Sequence, residues 1–274
     1  MKPASMLPGE RAETVSALER GVALLRCFDE QVLTLSAVDL AAMTAIPRPS
    51  VIRLAGTLCA LGLMRVTPEG DRYSLGPALV SLSHAFLAGL DQRSLFRQLM
   101  QPLADETQGS LYLAMRDGLE MVVIEACRAR GSMLSARVDT GTRTPLATSA
   151  LGRAYLLGID QAQRETLMAE LKKKSGENWL AVRQPLQDAL ALSARTGYCV
   201  SIGTFHPDIN SVSIPLKGPT GEVFSVNCGG AAFHFPEHRL IQEVVPRLYR
   251  LTKDLAQAIG GSMVSAHQES SSCI

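Results

Sequence analysis

Thr44-Ala-Ile-Pro-Arg-Pro-Ser-Val-Ile-Arg-Leu-Ala-Gly-Thr-Leu-Cys-Ala-Leu-Gly-Leu-Met64, followed by Arg72-Tyr-Ser-Leu-Gly76, decides the fold of the N-terminal part of this chain. Val51, Leu54, Ala55, Leu58 and Leu61 recur at i, i+3, i+4, i+7 and i+10, which lines them along one face of a helix. The other face carries Ser50, Arg53 and Thr57, short polar groups and one long cation of the kind that reach phosphates and base edges in a major groove. DNA binding is the leading expectation from this stretch.

Working outward, Val15, Leu18, Val22, Leu25 and Phe28 form an apolar stripe that predicts a first helix over 16–28. Ser36 suits the cap of a short second helix over 37–43, because its hydroxyl oxygen accepts from a free N–H of the first turn. Ile46-Pro47 breaks the chain, and Pro49 suits the first helical position, where a missing N–H costs nothing. Helix, helix, short turn, helix is the helix-turn-helix arrangement. A strand over 63–66, a turn at Thr67-Pro-Glu-Gly-Asp71 and a returning strand over 72–75 add a wing. The expected contacts to double-stranded DNA are Arg48, Ser50, Val51, Arg53 and Thr57 of the helix, with Arg65 and Arg72 of the wing.

The chain has 274 residues, 46% of them hydrophobic and 19% charged, which is enough for two domains. Net charge is only +1, and up to Gly76 the cations equal the anions, so bulk charge gives no support to nucleic-acid binding. The support is local: within the motif Arg48, Arg53, Arg65 and Arg72 are opposed only by Glu69 and Asp71. The cysteines are widely spaced and include no C-x-x-C pair, as expected of reduced thiols in the cytoplasm. No signal peptide is expected, and no stretch approaches the roughly 20 apolar residues of a membrane helix. G-x-S-x-G, Walker, G-x-G-x-x-G and H-E-x-x-H motifs are absent, so neither an enzyme nor a cofactor is expected. A metal site built from His206, Asp208, Cys228, His234 and His238 is the weaker alternative, since Pro236 keeps His234 and His238 off one regular helical face. A second alternative is an adaptor whose helix-turn-helix contacts protein.

Beyond the wing, Leu79, Leu82, Ser83, Phe86 and Leu90 make a stripe that one small domain could hardly bury, which predicts a linker helix that helps form a dimer, with a helix packed only within its own chain as the alternative. Helices are predicted over 95–106, 150–157, 162–173, 185–196 and 238–259. Strands are predicted over 111–116, 120–127, 133–138, 199–204, 211–216 and 222–227. Hairpins mixed with helices make this part an α+β domain with a largely antiparallel sheet. The expected division is a disordered tail over 1–14, a winged helix-turn-helix over 15–76, a linker over 77–91, a second domain over 92–262 and a disordered tail over 263–274.

Ser16-Ala-Leu-Glu-Arg-Gly21, Leu40-Ala41, Ile46-Pro-Arg-Pro-Ser-Val-Ile-Arg-Leu54 and Tyr73-Ser-Leu-Gly76 resemble the IclR family of bacterial transcription regulators. The C-terminal part is similar through Thr144-Pro-Leu-Ala-Thr-Ser-Ala-Leu-Gly-Arg-Ala-Tyr-Leu-Leu157, Thr196-Gly-Tyr198, Ser211-Val-Ser-Ile-Pro215 and Gly221-Glu-Val223. The resemblance implies a GAF-like effector-binding domain after the linker, a homodimer or dimer of dimers, and a small metabolite, often an organic or aromatic acid, that governs repression or activation of nearby catabolic genes. Pro49 stands where Ser or Thr is usual, Pro207-Asp208 replaces a usual Pro-Gly, and Asn227-Cys-Gly-Gly-Ala231 replaces a usual Ser-rich strand end.

Ser149 precedes the helix over 150–157, whose first N–H groups lack internal partners and favour an anion unless Ser149 itself satisfies them as an ordinary cap. Carried over position by position, the resemblance adds Met133, Ala136, Thr144, Ala150, Leu151, Ser201, Ile209, Ser211, Asn227 and Gly229 to an effector pocket. Apolar walls with a few hydroxyls and one amide suit a compact organic ligand. None of these positions is Lys or Arg, so a carboxylate would rely on backbone N–H groups, Ser211 and Asn227.

Overall fold

The computed structural model describes residues 14–90, 93–130 and 138–264, and its internal contacts divide the chain into two units, 1–89 and 90–274. The strand expected over 133–138 falls largely outside the described residues, as do nearly all of both tails.

The first unit opens with α1 (Ser16–Leu25), β1 (Leu35–Ser36) and α2 (Ala37–Thr44). Ser36 caps α2 reciprocally: its Oγ accepts from the Asp39 N–H at 3.2 Å, and Asp39 Oδ2 accepts from the Ser36 N–H at 2.9 Å. Ala45 stops the helix in the left-handed region, φ 55°, and Ile46 tucks into the core below the turn. α3 (Arg48–Ala60) follows, with Pro49 one place later than expected but still in the first turn, where no acceptor awaits its N–H. β2 (Met64–Val66) and β3 (Arg72–Leu75) form the wing, and β1 joins as a third antiparallel strand, in the order β1-β3-β2. Gly76 N–H donates to the Leu63 carbonyl at 2.8 Å, and a Cβ on Gly76 would meet the Gly62 carbonyl oxygen at 2.1 Å, so only glycine lets the wing return this close to the end of α3. Leu24, Leu40, Ile46, Val51, Ala55, Leu58 and Met64 fill the core. α4 (Ala78–Ala88) buries no residue within its unit, and Val80, Leu82 and Phe86 are 70%, 60% and 54% exposed.

Among the described residues, the second unit is built on an antiparallel sheet of seven strands. Its helices and strands run α5 (Arg93–Thr107), β4 (Ser110–Asp117), β5 (Glu120–Arg128), β6 (Arg143–Pro145), α6 (Ala150–Gly158), α7 (Gln161–Ser175), α8 (Trp179–Thr196), β7 (Cys199–His206), β8 (Ile209–Lys217), β9 (Val223–Ala231), α9 (Glu237–Arg239), α10 (Val245–Ala258) and β10 (Ser262–Met263). The sheet order is β10-β8-β9-β4-β5-β6, with β7 also on β8. Alternation sorts its faces. Phe224 meets Phe96 of α5, and Cys228 meets Thr107 of the same helix, while the intervening Ser225 donates from Oγ to the Leu151 carbonyl of α6 at 2.8 Å. α5 and α6 therefore cover opposite faces, and the α6 face is the one that carries Ser211, Ser213, Ser225 and Asn227. α5 is pinned by Glu125 of β5, a buried carboxylate held by Arg93 Nε at 2.7 Å and Arg97 Nη2 at 2.6 Å.

Two departures from expectation have local causes. The single helix expected over 238–259 is broken by a π turn, Leu240–Val244, because Pro246 has no N–H to return to the preceding turn. α8 starts before Pro185 instead of at it, with Trp179 and Val182 adding apolar surface against the same cluster as Leu186 and Leu190.

Candidate functional site

In the first unit the exposed face of α3 carries Arg48, Pro49, Ile52, Arg53, Gly56 and Thr57, with Ser50 half-buried at its edge. Arg53 and Arg48 flank an apolar row of Pro49, Ile52 and Gly56 that the sequence reading passed over. The complement of the buried stripe was the signal that could have found Ile52 and Gly56. Val51 is corrected: it is 0% exposed and packed among the core residues, so it has no surface to offer DNA. Thr57 turns its hydroxyl back to the Arg53 carbonyl at 3.1 Å. On the wing, Arg65 Nε donates to Ser74 Oγ at 3.1 Å. Arg72 is committed to the fold, with donors on Thr34 Oγ1 and the Thr34 carbonyl and an ion pair to Asp39 at 3.3 Å.

In the second unit one cavity of about 30 Å³ is lined by Tyr112, Val138, Thr144, Ser149, Ala150, Leu151, Phe205, Ile209, Ser211, Asn227, Gly229 and Gly230. Thr144, Ser149, Ala150, Leu151, Ile209, Ser211, Asn227 and Gly229 are thus brought together around one space. Met133 and Ala136 lie outside the described residues. Ser201 is corrected to a supporting place: it is buried, its hydroxyl pairs with that of Thr204 at 2.7 Å, and Thr204 Oγ1 donates to the Thr148 carbonyl at 3.0 Å. That chain ties the bend of β7 to the residue before the α6 cap. Tyr112, Val138, Phe205 and Gly230 were missed; alternation along β4 placed Tyr112 on a sheet face, but nothing in the sequence said which face meets α6.

The close approach of α6 to the loop before it depends on Gly152, where a Cβ would sit 2.1 Å from the Leu146 carbonyl oxygen. Ser149 is the ordinary cap that was weighed against a ligand site: its Oγ accepts from Gly152 N–H at 3.0 Å and donates to the Pro145 carbonyl at 2.7 Å. Among the described residues no acceptor meets the N–H of Ala150 or Leu151, so two donors at the positive end of α6 remain open beside the cavity. Asn227 donates from Nδ2 to Ser213 Oγ at 2.8 Å and faces Tyr112 directly across β4 and β9. Arg153 is buried behind α6, donating to the carbonyls of Ala147 and Val200, and burial pulls its pKa below the usual guanidinium value. Among the described residues, no lining residue is cationic. Among the described residues no three His, Cys, Asp or Glu side chains converge as a metal site; Cys228 is sealed against Thr107 while Asp208 stands exposed.

Residues 84–260 match the family described as bacterial transcriptional regulator IclR C-terminal, and residues 17–68 match the IclR helix-turn-helix domain. The chain is 28% identical over 245 residues to the HTH-type transcriptional regulator TsaQ1/TsaQ2 of Comamonas testosteroni, covering 88% of this chain and 87% of that one. It is 25% identical over 250 residues to the Pca regulon regulatory protein of Pseudomonas putida, covering 90% and 85%. The crystal structure of an IclR family transcriptional regulator from Brucella abortus superposes with a TM-score of 0.83 at 34% identity, covering 93% of this chain and 97% of that one. The families and relatives matched are transcriptional regulators, not enzymes.

Proposed function

The chain belongs to the IclR family of bacterial transcriptional regulators, and on that footing we propose that the cavity beside α6 receives a small organic acid whose binding resets affinity for a double-stranded DNA operator. The observation that carries this is the pair of open N–H groups of Ala150 and Leu151 beside a cavity with largely apolar walls. A carboxylate there accepts from both donors and takes the favourable end of the helix dipole. Ser211 and Asn227 add polar contacts, and Ile209, Leu151 and Val138 shield the rest of the ligand.

A cavity of about 30 Å³ has room for about one water, far less than an organic acid needs. The acid therefore binds an arrangement in which the cavity is wider, and that differential affinity is what lets it shift the protein between two states. The linker over 77–91, between the DNA-binding domain over 15–76 and the effector domain over 92–262, is the element through which the shift travels.

Arg53 is assigned to base edges, Arg48 and Arg65 to phosphates, and Ser50 and Thr57 to the edge of the contact. A second copy of the chain covers the apolar faces of α1 and α4, giving a homodimer or a dimer of dimers whose two-fold symmetry matches a partly palindromic operator. The protein works in the cytoplasm; no helix of the described residues is long and apolar enough to cross a membrane. The test is operator binding by the full chain to DNA flanking its own gene, repeated with a panel of organic acids.

A further inference from the structure

Gly56 sits in the interior of α3, and the fold of its own unit gives no reason for it. Its φ is not positive, and a Cβ built on it would meet nothing within 4 Å. Gly76 and Gly152 are different, since a Cβ on either would strike a carbonyl oxygen at 2.1 Å. A glycine inside a helix weakens that helix relative to alanine, because it gives up more backbone freedom on folding. The residue makes sense where another body comes within a methyl's width of the α3 backbone.

The residues around Gly56 identify that body. Pro49, Ile52, Gly56 and Ala60 recur at i, i+3, i+7 and i+11, which lines them along a crest opposite the buried Val51, Ala55 and Leu58. All four are exposed, and Ile52, at 45%, carries the one large apolar side chain of the crest. Arg48 flanks the crest on one side and Arg53 on the other, both exposed, and α3 contains no Asp or Glu to neutralise them. A low apolar crest between two cations matches a groove with anionic walls and an apolar group on its floor. The major groove of duplex DNA is such a groove, with phosphates along its edges and the C5 methyl of thymine at its base.

We infer that Ile52 reads a thymine of the operator through its C5 methyl, and that Gly56 lets the middle of α3 approach the base edges closely enough for that contact. This rests on the reading that α3 enters the major groove, and it adds an apolar determinant to the polar one assigned to Arg53. The operator then has a chemical requirement beyond its hydrogen-bonding pattern: a T·A pair under α3 whose methyl cannot be removed without loss.

Deoxyuridine, which pairs as thymidine does but lacks the methyl, tests this when placed at each thymine of the operator in turn. Affinity is read by fluorescence anisotropy with the full chain. Replacement at one thymine under α3 should weaken binding about three- to fivefold, the worth of one methyl kept from water. Ile52→Ala should bind the thymine and deoxyuridine operators alike. Gly56→Ala should melt no lower than the parent, because alanine favours the helix, yet bind the operator about tenfold more weakly or worse, because the new methyl crowds the bases. Undiminished binding at every deoxyuridine position overturns the methyl contact and leaves operator recognition by α3 standing, and so does a loss that persists in Ile52→Ala. A Gly56→Ala protein that binds as the parent does overturns the close approach, and one that melts lower overturns it by showing that the fold itself needs the glycine. Failure of the full chain to bind any operator DNA overturns the DNA reading and this inference with it.

Discussion

Arg72 of the wing closes on Asp39 at 3.3 Å, and Asp39 is the same carboxylate that accepts the Ser36 N–H at the start of α2. One acid thus caps a helix and straps a strand. With further donors on Thr34, the Arg72 guanidinium holds the wing against the helix-turn-helix, and its value to DNA binding lies mainly in keeping the wing in place.

That relationship has a pH signature. The Asp39 carboxyl is held below the usual carboxylate value, by the Ser36 backbone N–H first, then the Ser36 hydroxyl, with the Arg72 charge adding to both. A pKa lower in the folded state means the unfolded chain binds the proton more readily. The contribution is full above the unfolded value of about 3.9 and is lost as pH falls through the depressed folded value. Asp39→Asn should therefore melt lower than the parent at neutral pH and show a flatter loss of melting temperature below about pH 4. An unchanged acid slope in the variant would rule this out.

Arg53→Ala should weaken operator binding by about 1–3 kcal/mol and relax sequence preference, as loss of a base contact does. Arg65→Ala should lower the salt dependence of binding by about one unit, as loss of a phosphate contact does. Arg72→Ala should reduce the melting temperature as well as affinity. Titrations of fluorescent operator at several salt concentrations, paired with thermal melts, separate the three.

Leu82 and Phe86 stand exposed on α4 and Leu18, 68% exposed, on α1, within a unit that leaves all three uncovered. Replacing Leu82 and Phe86 together by Glu should shift sedimentation to smaller species and weaken operator binding in step. A parent protein that is monomeric at micromolar concentration would refute the dimer.

Gly152→Ala should destabilise the second unit by about 1–3 kcal/mol, since the new methyl meets a backbone oxygen that cannot move aside without displacing the start of α6. The variant should also lose its response to acids. A melt and an effector titration like those of the parent would show that α6 tolerates the shift and that its position does not set the site.

Much of this was legible beforehand because local chemistry and periodicity agreed. Ser36 announced its cap, the stripe Val51, Ala55 and Leu58 announced the buried face of α3, and Pro68 and Gly70 announced the wing turn. What failed was non-local. Val51 belongs to two descriptions, a motif position and a core position, and burial decides between them. Ser201 shares a strand with cavity neighbours, but the bend at Gly203, φ 62°, draws its hydroxyl to Thr204. Tyr112 escaped notice because nothing in the sequence says which face of the sheet meets α6, and only the packed sheet places it on the cavity.

The central claim is that acid binding beside α6 and operator binding by α3 are coupled. The most direct test is operator affinity of the full chain, measured by fluorescence anisotropy at fixed salt, with and without an acid that calorimetry shows to bind. The account predicts a change of about fivefold or more, the usual range of such coupling. Asn227→Leu should lose that change while its acid-free operator affinity stays near that of the parent. Operator affinity unaltered by a saturating acid, or an Asn227→Leu variant that responds as the parent does, would contradict it.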